Sequence, residues 1–266
     1  MPLAVARKLT AWGHEVDVVE PGRAVSRVTE LLRDRGHDVW VLKTVSGGPG
    51  LSLLEAAAAA GVMTINDARA IRPVRDKAVA AAVARKHGIP FPVTYFAAVP
   101  DLLRDIPDDL YPVVVKPAAG SSCRSVHLVR RPDDLIDLRD RLIGEGFLLA
   151  QPYVMNPGAD VKVYCVGDEL YATEQPSPLH PRRIVEGRAI PLAAELAALV
   201  SGVGAVFGLS LYGVDVLEGP DGWVVVDVND FPSYHWVPDA VTKVARSIVR
   251  TVAGELPRPG ALGRAS

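Results

Sequence analysis

Three oxygen-bearing side chains mark the segment Gly213–Tyr234, GVDVLEGPDGWVVVDVNDFPSY. Two apolar runs flank a GPDG turn, which predicts a β-hairpin. Asp215 lies on the first run; Asp227 and Asn229 end the second. Side chains alternate faces along a strand, so Asp227 and Asn229 project to one side, and an in-register hairpin brings Asp215 beside them. Carboxylates in a valine-rich sheet are costly unless compensated, and a hard divalent cation, Mg2+ or else Mn2+, compensates them. The competing reading is a pair of hairpin-end acids facing water.

A second group sits in VVVKPAAGSSCRSV. Lys116 ends a strand just before a loop containing Gly120, Ser121 and Ser122. Small residues let backbone approach an anion, whose oxygens can take hydrogen bonds from N–H groups and hydroxyls. The loop joins two strands and lacks the G-x-x-x-x-G-K-[ST] pattern, so it is not a Walker loop. Alone, the pattern is weak, and an ordinary hairpin with a surface lysine accounts for it better. No Ser/His/Asp or Cys/His constellation, C-x-x-C or H-E-x-x-H pattern is present.

The elements that must position these groups follow from periodicity. Helix 2–12, strand 15–20 (EVDVVE), helix 24–35, strand 38–43, an alanine-rich helix at 51–60 and strand 62–66 predict a βαβ layer with a parallel sheet. An α/β layer of this kind usually opens on a strand, so a strand is expected ahead of residue 2. A helix at 74–87 follows, then YPVVVKP and SVHLV as strands and a helix at 132–143. Next come FLLAQPYV, the strands DVKVYCVG and ELYATEQ, a Pro/Arg-rich loop at 176–188, a helix at 192–207, the hairpin, and a helix at 237–253. The tail 257–266 reads as disordered.

The 266 residues are 49% hydrophobic and 23% charged, enough for one large core or several smaller ones. A net charge of −2 gives no nucleic-acid signature, and no apolar run reaches membrane-spanning length. Cys123 and Cys165 are too few for a disulfide framework and fit a reducing, cytoplasmic setting as small buried apolar residues.

The order of a lysine-ended strand, a Gly/Ser loop, a strand, a helix, the linker QPYV and then D-x11-D-x-N resembles the ATP-grasp superfamily over residues 14–254. The resemblance implies an ATP-grasp fold, mixed α/β and α+β. Residues 1–72 would form the N-terminal βαβ (pre-ATP-grasp) domain, 73–150 the small subdomain with the phosphate loop, and 151–256 the subdomain with the metal site. Two branches are similar. NDARAIRPVRDKAVAAAVARKHGIPFPVTY looks like the entry segment of RimK-type carboxylate–amine ligases. KVYCVGDELYATEQPS and DVNDFPSYHWVP look like segments of the ATP-grasp inositol phosphate kinases.

By that resemblance, ATP and Mg2+ are the cofactors. Lys116, Lys162 and Arg75 would meet the nucleotide phosphates, with Gly120, Ser121 and Ser122 folding over them. Gln151, Pro152, Tyr153 and Val154 would read adenine, and Asp160 would lie near the ribose. Proline keeps a C=O acceptor but has no N–H donor, so the donor must come from Tyr153 or Val154. Asp215, Asp227 and Asn229 would hold the metal. Ligases normally carry Glu at position 227, whereas Asp is more at home among the kinases.

Both branches need a basic pocket for a small anionic acceptor: an amino acid, a peptide or a polyol phosphate. Lys43, Arg124, Lys162, His180, Arg182, Arg183, Ser233 and His235 are its candidates, with Lys116, Lys162 and Arg182 nearest the chemistry. The leading expectation is a ligase acting through an acylphosphate. The alternatives are a polyol or inositol phosphate kinase and a nucleotide-binding protein without turnover. Oligomeric state stays open.

Overall fold

The computed structural model describes residues 1–23, 25–30, 36–44, 48–120, 125–180 and 187–256. Pro2 opens α1 (Pro2–Ala11), where a missing N–H costs nothing. Next come β1 (Val39–Val41), α2 (Leu51–Ala59) and β2 (Met63–Ile65). β1 and β2 pair in parallel, Val39 opposite Met63, with α2 as the crossover. Leu42, Leu54, Ala68 and Ile71 form the small core beneath α2.

Two expectations fail here. EVDVVE forms no strand: residues 14–20 are irregular, and Val18 and Val19 are about half exposed. Its alternation suits a strand, but β1 and β2 make a two-stranded sheet that does not take it in. The helix at 24–35 is also absent over 25–30, which are irregular or turn; positions 24 and 31–35 lie outside the described residues.

The helix expected at 74–87 is two helices, α3 (Ala68–Arg75) and α4 (Lys77–Lys86). Asp76 divides them. Its extended backbone ends α3, while its carboxylate accepts from the N–H groups of Ala78 and Val79 and caps α4. Lys77 thereby stands on the first turn of α4.

β3 (Tyr95–Ala97), β4 (Val113–Pro117), β5 (His127–Val129), α5 (Asp134–Leu142) and β6 (Leu148–Pro152) build the smaller antiparallel sheet, ordered β3-β6-β4-β5. The short β3 was not expected. Val113, Val115, Leu148 and Ala150 meet Leu135, Leu138 and Leu142 of α5 in a separate core.

The larger sheet holds β7 (Ala159–Val166), β8 (Glu169–Pro176), β9 (Arg188–Ile190), β10 (Leu211–Gly219) and β11 (Gly222–Asn229), ordered β11-β10-β7-β8-β9. The unexpected β9 is short and pairs with β8. α6 (Ala194–Phe207) covers one face; Val161, Val163, Val214, Val216, Val225 and Val228 pack there with Leu196, Val200, Val203 and Phe207. Cys165 is buried on this face, and burial pushes its thiol up to about 11, in keeping with an inert packing residue. α7 (Ala240–Val252) packs with α1 and with Tyr164, Val166 and Leu211 of the sheet.

Candidate functional site

Period-two alternation separates the two faces of the larger sheet. Residues opposite the valines are polar: Asp160 and Lys162 on β7, Thr173 and Gln175 on β8, Asp215 on β10, Asp227 and Asn229 on β11. Cross-strand register sets Lys162 opposite Asp215, and Asp215 opposite Asp227.

The second pairing depends on an irregularity. From the turn inward, Gly219 pairs with Gly222 and Val216 with Val225; the register then shifts, and Asp215 meets Asp227. Val226 is the extra residue of a β-bulge. A regular ladder would set Asp215 opposite Val226 and turn Asp227 toward α6. The Lys116 ammonium donates to the Val226 carbonyl at 3.0 Å, which joins the smaller sheet to the larger at the bulge.

Asn229 Nδ2 donates to Asp215 Oδ2 at 3.1 Å, so the three proposed metal ligands are gathered on one face. Cations surround them. Lys162 Nζ is 2.8 Å from Asp215, and Lys77 Nζ is 2.6 Å from both Asp227 oxygens. Burial pushes the Asp227 carboxyl up, but Lys77, Lys116 and Lys162 together outweigh it and hold it below the usual range. Burial likewise disfavours the Lys162 ammonium, and Asp215 more than restores it. Two carboxylates and an amide are hard oxygen donors that suit Mg2+, an ion that retains waters and binds phosphate oxygens alongside few protein ligands. Among the described residues, no group of three or more His, Cys, Asp or Glu gathers into a metal site.

Lys77 is the functional candidate that sequence reasoning missed. Its signal was present in VRDK: an aspartate cap fixes the next residue at a helix start, with its side chain close to the neighbouring sheet.

A cavity of about 320 Å3 adjoins this face, with Lys43, Arg75, Lys77, Lys162, Ser233 and His235 in its wall. Gly120 and Asn229 also reach it. Burial pushes the Lys43 ammonium down, with Arg75 and Lys162 adding to this and Asp230 opposing it. Its Nζ donates to the Phe231 carbonyl and lies 5.4 Å from that ring. Ser233 Oγ lies 2.9 Å from His235 Nδ1. Between them, Tyr234 takes a left-handed φ of 56°, which is strained for a tyrosine. Its fully buried ring and its hydroxyl, which donates to the Cys165 carbonyl at 3.0 Å, offset that strain. The turn thus leaves Ser233 and His235 facing the cavity.

Arg75 sits differently from expectation. Its guanidinium pairs bidentately with Asp230 at 3.0 and 2.9 Å and donates to the Thr44 carbonyl at 3.1 Å. Only 8% of that side chain is exposed, so it serves first to hold Asp230.

The linker candidates lie apart from this cavity. Gln151, on the smaller sheet opposite Val114, donates to Thr94 at 2.8 Å, and Pro152 lies opposite Val113. Tyr153 N–H donates to the Pro112 carbonyl at 2.8 Å, so that donor is already engaged within the fold. His180 sits here rather than with Ser233 and His235: its Nε2 is 2.6 Å from the Tyr153 hydroxyl. Burial pushes the Asp160 carboxyl up, with Asp215 adding to this against relief from Ser177, His180 and Lys162. Ser121, Ser122, Arg124, Arg182 and Arg183 lie outside the described residues, as do Cys123 and the tail 257–266.

Similarity to known proteins identifies the fold. A family model described as the RimK-like ATP-grasp domain matches residues 74–252. The probable alpha-L-glutamate ligase of Vibrio vulnificus is 26% identical over 255 residues, covering 88% of this chain and 84% of that protein. The crystal structure of a RimK domain ATP-grasp protein from Sphaerobacter thermophilus superposes with a TM-score of 0.75 at 22% identity, over 92% of both chains. The ATP-grasp ligase PsnB, complexed with minimal precursor, Mg and ADP, gives 0.69 at 18% identity, over 94% of this chain and 93% of that one.

Proposed function

The chain belongs to the RimK-like ATP-grasp family, and on that premise we propose that it is an ATP- and Mg2+-dependent carboxylate–amine ligase whose substrates include an amino acid or a peptide. The γ-phosphoryl group passes to a substrate carboxylate, giving ADP and an acylphosphate. The amine of the second substrate then attacks the acyl carbon, and inorganic phosphate leaves as the amide forms. The observation that carries this reading is the opposed pair Asp215 and Asp227, bordered by Lys77, Lys116 and Lys162 and adjoining a basic cavity.

Phosphoryl transfer needs positioning and charge neutralisation more than covalent help from the protein. Mg2+, held by Asp215, Asp227 and Asn229, would neutralise charge developing on the β- and γ-oxygens. Lys116, Lys162 and Lys77 would present ammonium donors to the same phosphates, exchanging carboxylate or carbonyl partners for phosphate oxygens. Lys43, Ser233 and His235 would orient the acceptor. Val154 and its neighbours would hold adenine, with Asp160 near the ribose. Relatives named as glutamate ligases support an amino acid as one reactant. Phosphorylation of a hydroxyl draws no such support.

Product stoichiometry tests the proposal. Protein, ATP and Mg2+ are incubated with pooled amino acids and short peptides, and ADP and free phosphate are quantified together. The expected outcome is equal ADP and phosphate, both requiring acceptor. ADP without free phosphate would assign a kinase instead.

A further inference from the structure

We propose that Asn66 and Asp230 form a positioning clamp that ties the open end of the metal-bearing hairpin to the N-terminal layer. The proposal rests on the ligase reading for its reaction but has its own test.

Asn66 follows β2 and is 1% exposed. An amide buried so completely must find partners, since a buried polar group left unmet is costly. Asn66 meets them all at one place. Its Oδ1 accepts from Ser210 N–H at 2.9 Å, Leu211 N–H at 2.9 Å and the Ser210 hydroxyl at 3.3 Å. Its Nδ2 donates to the Leu211 carbonyl at 2.8 Å and to the Asp230 carbonyl. Leu211 begins β10, and Asp230 directly follows Asn229 at the end of β11. One side chain therefore ties the two free ends of the hairpin, opposite its closing turn.

The carboxylate of Asp230 is fixed from the same layer. Arg75 grips both its oxygens and anchors itself on the Thr44 carbonyl. Lys43, also from this layer, donates to the next carbonyl, Phe231. Position 230 is thus held at its backbone by Asn66 and at its side chain by Arg75. Its chain neighbour Asn229, two positions along β11 from Asp227, contacts Asp215 on β10. A bulge breaks the ladder and bends its strand beside the ligands, and fixing the hairpin's open ends sets where the bent strand carries them. Neither Asn66 nor Asp230 touches the phosphates in this assignment; both act through Asn229 and its neighbours.

The informative variant is Asn66→Asp. It keeps shape but replaces the amide donor by an oxygen facing two carbonyls. Asp230→Asn is the second, since it keeps the carbonyl that Asn66 reaches and weakens the Arg75 grip. Mn2+ binding is followed by electron paramagnetic resonance in the presence of saturating ADP, and ADP affinity alone is measured by calorimetry. The clamp predicts Mn2+ affinity at least 10-fold weaker in Asn66→Asp and several-fold weaker in Asp230→Asn. ADP affinity in the absence of metal stays within about twofold, because Lys116 and the 151–154 linker are untouched. A merely structural role would lower the unfolding midpoint while leaving Mn2+ affinity of the folded protein unchanged, and that result overturns the clamp. If Asn66→Asp does not fold, Asp230→Asn decides the question alone. Wild-type protein that binds no Mn2+ with ADP would overturn the nucleotide reading and the clamp together. Intact wild-type binding with unchanged variants overturns only the clamp.

Discussion

The ammonium of Lys77 lies 2.6 Å from both oxygens of Asp227, a carboxylate otherwise disfavoured by burial. Replacing Lys77 with alanine removes the nearest of three neighbouring cations. A fully buried pair broken in this way costs about 3–5 kcal/mol. These side chains are 15% and 25% exposed, so solvent screening lowers the expected cost to about 1–3 kcal/mol. In EDTA the unfolding midpoint of Lys77→Ala should fall by roughly 2–6 °C. Mg2+ added without nucleotide should then recover more in the variant than it adds to the wild type, since a cation at Asp227 replaces the lost ammonium. Equal responses to Mg2+ in the two proteins would remove Asp227 from the metal site.

At the scale of elements, the site depends on how closely α6 lies on the valine face of the larger sheet. At Gly204 of α6 they meet closely: a Cβ there would come within 2.2 Å of the Tyr212 hydroxyl and 2.5 Å of its ring. The ring cannot readily yield, because its hydroxyl donates to the Val200 carbonyl at 2.9 Å. Alanine at 204 gains about 1 kcal/mol of helix propensity and loses more to overpacking, for a net destabilisation of about 1–2 kcal/mol. Urea unfolding should show it, and the cost should shrink in a Tyr212→Leu background, where the ring is gone. A Gly204→Ala chain as stable as wild type would mean that α6 rides higher on the sheet.

The same pair of strands shows what was legible beforehand. Valine alternation and the GPDG turn announced the hairpin and both acids, but strand counting from that turn opposes Asp215 to Val226. The bulge that corrects this is stabilised from another sheet, by Lys116, and no local pattern records it. EVDVVE failed for the converse reason: alternation describes what a strand would bury, not whether a partner is there. The Asp76 cap was readable, yet a long apolar period across 74–87 obscured it. Arg75 and Asp230 are 155 positions apart, and nothing in either neighbourhood announces their pairing.

For the whole molecule, the arrangement of cores predicts unequal stability. The core around α5 and the smaller sheet shares no residue with the cores under α6 and α7. What joins the parts is largely polar: Lys77 N–H to the Ala118 carbonyl at 3.0 Å, Lys116 to Val226, and the continuation of β6 into the linker. Separately cored units open in separate steps, so the amides of β4 and β6 should exchange hydrogen faster than those of β7 and β10. A nucleotide held in the proposed way, by Lys116 on one sheet and by Lys162 and the Asp215–Asp227 pair on the other, would bridge the two units. Ligand present at about 100 times its dissociation constant stabilises the bound state by about 2.7 kcal/mol, or about a hundredfold in an opening equilibrium. Mg2+ with ADP should therefore slow exchange in β4 and β6 by up to that factor, and the slowest amides of β7 and β10 as well, because opening either unit releases the ligand. Equal exchange rates in the two sheets without ligand would mean that they open as one unit. Protection confined to the larger sheet would move the nucleotide off Lys116 and out of the cleft between them.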